Sequence, residues 1–114
     1  MITKINRLLR AHDFEAIFKE GKRATTPFFL VYTRENRLSV SRFSVVVSSK
    51  VSKRAVDRNQ IKRRTRSFIH STLPSIKKGY DVIIRVNSSV VVGLPYQDLE
   101  KELIQVFKKA HLFI

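Results

Sequence analysis

Eight basic side chains crowd one short stretch: Lys50, Lys53, Arg54, Arg58, Lys62, Arg63, Arg64 and Arg66, with Asp57 the only acid among them. A guanidinium can grip one phosphate through two parallel hydrogen bonds, so an arginine-rich run of this kind is suited to polyanions. On a helix of about 3.6 residues per turn, Arg58, Lys62 and Arg66 align at i, i+4 and i+8, and Asn59, Arg63 and Arg66 form an overlapping flank. Like charges at that spacing destabilise an isolated helix by about a few tenths of a kcal/mol per pair. Bound phosphates would relieve that repulsion and release counterions, making affinity fall steeply with salt. An ordinary solvated face is the bland alternative. The density of the run and its lack of compensating acids argue against it.

Other chemistry has few candidates. His12, His70 and His111 are far apart and follow no metal-ligand spacing. Asp57, Asp81 and Glu35 form no recognisable carboxylate pair, and Asp81, at the start of a strand, is expected at its rim. Nothing resembling a nucleophile elbow surrounds Ser48, Ser49 or Ser52. The absence of cysteine excludes a disulfide scaffold, a thiolate nucleophile and a cysteine metal site. Three unclustered glycines offer no phosphate loop.

The whole chain carries 23 Lys plus Arg against 9 Asp plus Glu, a net charge of +14 on 114 residues, and half of that excess lies in the basic run. This points to a polyanionic partner, most directly nucleic acid, although charge alone also admits a membrane surface or an acidic protein. A hydrophobic share of 43% allows one modest core, and the length fits one domain, residues 1–114. Leu8 and Leu9 are followed at once by Arg10, His12 and Asp13, so no secretory h-region forms, and no run approaches membrane-spanning length. The expectation is a soluble, cytoplasmic protein without a membrane partner.

The elements that must position these residues are legible in outline. In Asp13–Glu20, Phe14, Ile17 and Phe18 recur at helical spacing, and Gly21 ends the helix. FFLVYT, from Phe28, reads as a strand with Phe28, Leu30 and Tyr32 on one face and Phe29, Val31 and Thr33 on the other. Arg34–Leu38 reads as a turn that makes a hairpin with a second strand, about Ser39–Ser48. The basic helix runs from Asp57 to Thr72, with Ile61, Thr65, Phe68 and Thr72 on its narrow face and Pro74 beyond it. Tyr80–Val86 is a further strand, and Asn87–Gly93 a loop packed on the core. Tyr96–Ala110 is a closing helix with Leu99, Leu103, Ile104, Val106, Phe107 and Ala110 as its buried stripe. Its acids and lysines cancel, so it reads as structural. One more short strand is expected near Leu8. The fold class is α+β, a small mixed sheet packed with helices. Phe14 and Phe18 face Phe28, Tyr32 or Phe43 across the sheet. An open cleft there would let the rings stack on single-stranded bases, and a closed one would make them core; periodicity does not choose.

Arg58-Asn59-Gln60-Ile61-Lys62-Arg63-Arg64-Thr65-Arg66 resembles the signature Arg-Asn-Arg-x-Lys-Arg-x-x-Arg of the bacterial ribonuclease P protein family. VSSKVSKRAVD before it, the early DFxxIF, the strand DVIIR and the closing amphipathic helix fall in the family's order, roughly from Asn6 to Ala110. The chain departs from the pattern at Gln60, where the family has Arg, at Ser44, where glycine is common, and at Ser49, where lysine is usual.

The resemblance implies a ribosomal protein S5 domain 2-like fold with a left-handed βαβ crossover at the basic helix. It implies a non-catalytic subunit of a ribonucleoprotein whose RNA, with Mg²⁺, hydrolyses precursor tRNA to leave the mature 5′ end. Its implied partners are that catalytic RNA and precursor tRNA, with no obligate protein partner. Lys53, Arg54, Arg58, Asn59, Gln60, Lys62, Arg63 and Arg66 would contact the catalytic RNA. Phe14, Phe18, Tyr32, Lys50 and Arg85 would line a cleft for the single-stranded 5′ leader. A general structured-RNA-binding or ribosomal protein and a duplex-DNA regulator are the competing classes.

Overall fold

A computed structural model describes residues 11–114, so the strand expected near Leu8 lies outside the described residues. The elements run α1 (Ala11–Glu20), β1 (Lys22–Thr25), β2 (Phe29–Glu35), β3 (Arg42–Val46), α2 (Ala55–Thr72), β4 (Tyr80–Val86) and α3 (Tyr96–Lys109). The four strands form one mixed sheet in the order β1-β2-β4-β3.

β4 is the centre of the sheet because it is the strand that can be buried on both sides. Val82, Ile83, Ile84 and Val86 are all buried, and only Arg85 of its apolar stretch is exposed. A strand apolar on both faces belongs between two partners and two layers. It pairs antiparallel with all of β2, from Phe29↔Val86 to Glu35↔Tyr80, and parallel with β3, from Arg42↔Asp81 to Val46↔Arg85.

This corrects the expected hairpin. The segment after β2 does not fold back beside it; β3 lies on the far side of β4. The crossing segment is stitched to the start of β4: Asn36 N donates to the Gly79 carbonyl at 2.8 Å, and the Ser41 hydroxyl donates to the Lys77 carbonyl at 2.7 Å. Arg37 takes a left-handed φ of 60° at the bend. The hairpin partner of β2 is instead β1, four residues with two charges whose pattern is too short to read from alternation. Parallel neighbours cannot be joined by a tight turn, so α2 serves as the crossover from β3 to β4.

The two sheet faces have different cover. Phe29, Val31, Phe43, Val45, Val82, Ile84 and Val86 point into the main core with Ile61, Phe68 and Ile69 of α2 and Leu99, Leu103, Val106 and Phe107 of α3. Phe68 and Phe107 meet edge-on, centroids 5.3 Å apart. α2 thus turns Ile69 inward where Thr72 was expected, and Thr72 is half-buried. Of the stripe expected for the closing helix, Ile104 and Ala110, the latter just beyond α3, are only partly buried. The loop after β4 packs Val91 into the core as expected. On the opposite face a smaller cluster joins Ile17 of α1 to Tyr32 and Ile83, with Phe14, Leu30 and Val46 beside it.

α1 turns directly into β1 at Gly21, whose amide donates to the Ile17 carbonyl. A Cβ here would collide with that carbonyl oxygen and stand 2.9 Å from the Thr33 carbonyl oxygen. Gly21→Ala should therefore destabilise the fold by about 1–3 kcal/mol through overpacking, measured by urea denaturation.

Candidate nucleic-acid interface

The first surface is α2 and the loop before it. Asp57, the lone acid of the run, accepts the Ser52 hydroxyl at 2.9 Å and lies 3.9 Å from Arg54 Nε. Arg58 reaches back to donate to the Ser52 carbonyl at 2.8 Å. Val51 is buried beneath the loop. These contacts fold residues 48–54 over the first turn of α2 and leave Lys50, Lys53 and Arg54 exposed. Ile61, Thr65, Phe68 and Ile69 anchor the helix inward, so Asn59, Gln60 and Arg63 point outward while Arg58, Lys62 and Arg66 lie half-buried along one flank. Arg64 is diverted: its guanidinium donates to the Leu94 carbonyl at 3.0 Å and ties the approach to α3 onto α2. One basic run therefore contains outward groups and structural ties.

The second surface lies on the α1 face of the sheet. Directly opposed residues of neighbouring strands share a face. The register therefore places Thr25, Leu30, Arg85 and Val46 in one row across all four strands, and Arg23, Tyr32, Ile83 and Ser44 in the next. α1 covers the second row with Ile17 and leaves the first open. Leu30 and Val46 are half-buried, and Thr25 and Arg85 exposed. Phe18 forms the wall with 47% of its surface exposed; its ring meets Tyr32 edge-on at 4.9 Å and Phe14 at 6.3 Å. Phe14, Phe18, Tyr32 and Arg85 thus come together. Lys50 is on the loop that leaves β3 just after Val46. Phe28 and Phe43, offered as partners for α1, belong to the other face and the main core. Alternation already paired Leu30 with Tyr32, but Arg23, Thr25 and Val46 were missed because only the register brings them to the groove.

α1 is fixed by charge on its other side. Arg42 donates to Asp81 through Nε at 2.8 Å and Nη2 at 2.7 Å, and Nη2 lies 3.6 Å from Asp13 of α1. Asn36 donates to the same Asp81 at 2.9 Å. Asp81 stands at the start of β4 as expected, yet it is 1% exposed: the arginine and the amide satisfy its carboxylate inside the fold. Its hydrogen bonds hold the Arg42 guanidinium above its ordinary pKa, and the group stays charged throughout the useful pH range. At the other end of α1, Glu20 meets Arg34 at 3.2 Å in an exposed pair of little energetic consequence. A cavity of about 570 Å³ opens on this side, but its three arginines face three carboxylates and present no net charge to a polyanion.

Among the described residues no group of three or more His, Cys, Asp or Glu side chains could hold a metal ion, and no helix is long and apolar enough to cross a membrane. What the arrangement can do is bind: an outward basic helix for structured phosphates, and a groove with aromatic wall and cationic floor for single-stranded bases and their backbone.

The ribonuclease P family model matches residues 2–111. The chain belongs to the ribonuclease P protein family. The ribonuclease P protein component of Synechocystis sp. is 37% identical over 96% of this chain and 88% of its own, and that of Fusobacterium nucleatum is 33% identical over 95% and 99%. The RNase P protein of Staphylococcus aureus superposes with a TM-score of 0.88 at 28% identity, covering 96% of this chain and 98% of that one. The RNase P protein of Thermotoga maritima gives 0.82 at 30%, covering 90% and 94%. The α+β architecture with its mixed sheet is theirs as well. As a ribonuclease P protein component, this chain is the non-catalytic subunit of a ribonucleoprotein enzyme, and its partners are the ribonuclease P RNA and precursor tRNA.

In this ribonuclease P protein, Asp81→Ala would remove both close hydrogen bonds of the Arg42 guanidinium and the carboxylate partner of Asn36, leaving Arg42 only Asp13 at 3.6 Å. We expect a loss of about 3 kcal/mol in urea denaturation, whereas Glu20→Ala should change stability by about 0.5 kcal/mol or less.

Proposed function

We propose that the two surfaces divide the RNA partners between them. Arg58, Asn59, Gln60, Lys62, Arg63 and Arg66, with Lys53 and Arg54 on the preceding loop, hold the catalytic RNA. Phe14, Phe18, Tyr32, Arg85 and Lys50 hold the single-stranded 5′ leader of precursor tRNA. The observation that carries this is the half-exposed Phe18, seated on Tyr32 at the border of the more open row that holds Arg85. A ring left half in water over Tyr32, one row from the exposed Arg85, suits stacking on bases whose phosphates the arginine meets. The outward, acid-poor face of α2 suits a folded RNA backbone. Gln60 donates neutral hydrogen bonds where the family's arginine would offer a charged fork.

The protein supplies affinity and screens phosphate repulsion, and Mg²⁺ is held mainly by the RNA partner. We read the chain as one RNA-binding domain of the cytoplasm. The β3–α2–β4 connection is read as the left-handed crossover of the ribosomal protein S5 domain 2-like fold, against the general right-handed rule. The support for that reading is the parallel β3–β4 pair joined through α2 in a chain of this family.

Two substitutions separate the surfaces. Phe18→Ala should weaken holoenzyme binding of precursor tRNA about tenfold, the scale of one lost stacking contact, and leave mature tRNA unchanged. Arg63→Ala should weaken assembly with the catalytic RNA and lower its salt slope by about 1. Equal losses for both tRNAs in a folded Phe18→Ala protein would overturn the leader assignment. Across a Mg²⁺ series, the intact protein should lower the concentration the RNA needs for cleavage; no effect would remove the proposed screening role.

A further inference from the structure

The open row of the sheet does not stop at β1. Its last residue, Thr25, is also the first residue of a depression of about 750 Å³ that continues round the tip of the β1–β2 hairpin, lined by Thr26, Pro27, Gln105, Lys108 and Lys109. The Lys109 ammonium donates to the Thr25 carbonyl at 2.9 Å. A cation of α3 therefore stands within one hydrogen bond of the groove's end, although α3 packs on the opposite face of the sheet. Lys108 and Lys109 are exposed, and neither meets a carboxylate among the described residues. The acids of α3 are Asp98, Glu100 and Glu102, and Glu102 lies about 10 Å along the helix from Lys109.

Lysines at a helix C-terminus complement the helix dipole, and that role accounts for charge there. It does not account for an ammonium directed across to a strand carbonyl beside an open channel. A strand of RNA crossing the row at Val46, Arg85, Leu30 and Thr25 spans about 14 Å at the usual strand separation. Beyond Thr25 lies the depression whose lining includes Lys108 and Lys109.

We propose that Lys108 and Lys109 form a distal subsite for the phosphodiester backbone of a long 5′ leader, extending the groove around the β1 edge. The subsite rests on the reading that the groove holds the leader. Short leaders end over the sheet and do not reach it. Long leaders gain two phosphate contacts, and α3 becomes a binding element as well as a structural one.

The experiment uses reconstituted holoenzyme and two precursor tRNAs, with leaders of about four and about ten nucleotides, across a salt series. Lys108→Ala/Lys109→Ala should weaken binding of the long-leader substrate several-fold and reduce its log–log salt slope by about 1.4, the counterion release of two single-strand phosphates. The short-leader substrate should be unaffected. Lys108→Ala alone, which leaves the Lys109–Thr25 bond in place, should give about half the change in slope and guards against a local folding defect. Equal loss for both leaders, loss for neither, or a loss confined to binding the catalytic RNA would overturn the subsite. Phe18→Ala measured alongside separates the two readings. If it weakens both substrates while the lysine variant weakens neither, only the extension fails; if it weakens neither, the groove assignment fails and the extension with it.

Discussion

The pairing of β4 with strands on both of its edges is the constraint on which the molecule depends. A strand apolar on both faces has to be covered on both faces and paired on both sides. β2 supplies one edge in antiparallel register, and β3 supplies the other in parallel register. The parallel pair obliges the chain to travel from one end of the sheet to the other, and α2 makes that journey. The basic helix is therefore a structural crossover as well as a charged surface. Ile61, Phe68 and Ile69 hold it on the core, and that anchoring presents the opposite face to solvent as a rigid array.

The same pairing builds the groove. Because β4 sits between β2 and β3, Arg85 is brought into line with Leu30 on one side and Val46 on the other. α1 is too short to cover this whole face, and the Arg42 cluster and Gly21 decide where it lies. Arg42 binds carboxylates of β4 and α1 at once, so one buried charge network aligns the helix with the central strand. Phe14 and Phe18 then fall on the side of α1 facing the open row. Polar chemistry within the fold sets the position of aromatic chemistry on its surface.

Charge and geometry have separate functions in the basic segment. Asp57, Ser52 and Arg58 shape the loop, and Arg64 braces the start of α3. Arg63, Asn59 and Gln60 make no comparable internal tie and project outward. An arginine count overstates the outward charge, because the Arg64 guanidinium is tied to the Leu94 carbonyl.

Much of this was legible in the residues themselves. The density of Lys50–Arg66, the spacing of Phe14, Ile17 and Phe18, and the alternation in Phe28–Thr33 depend on local periodicity, which a helix or strand imposes within a few residues. They determined most of the elements and the basic surface; the family rested on the resemblance of Arg58–Arg66 to its signature, and periodicity left the aromatic face undecided between groove and core. Strand order was not legible: the expected β2–β3 hairpin and the overlooked β1 both turn on which edges meet, a choice made by burial of β4 far along the chain. The same holds for Asp81, whose partners Asn36 and Arg42 are distant in sequence, and for Arg23, Thr25 and Lys109. Local pattern records which way a side chain points along its own element. Only long-range pairing decides what it points at, because the free energy that selects register and order comes from surfaces buried between segments.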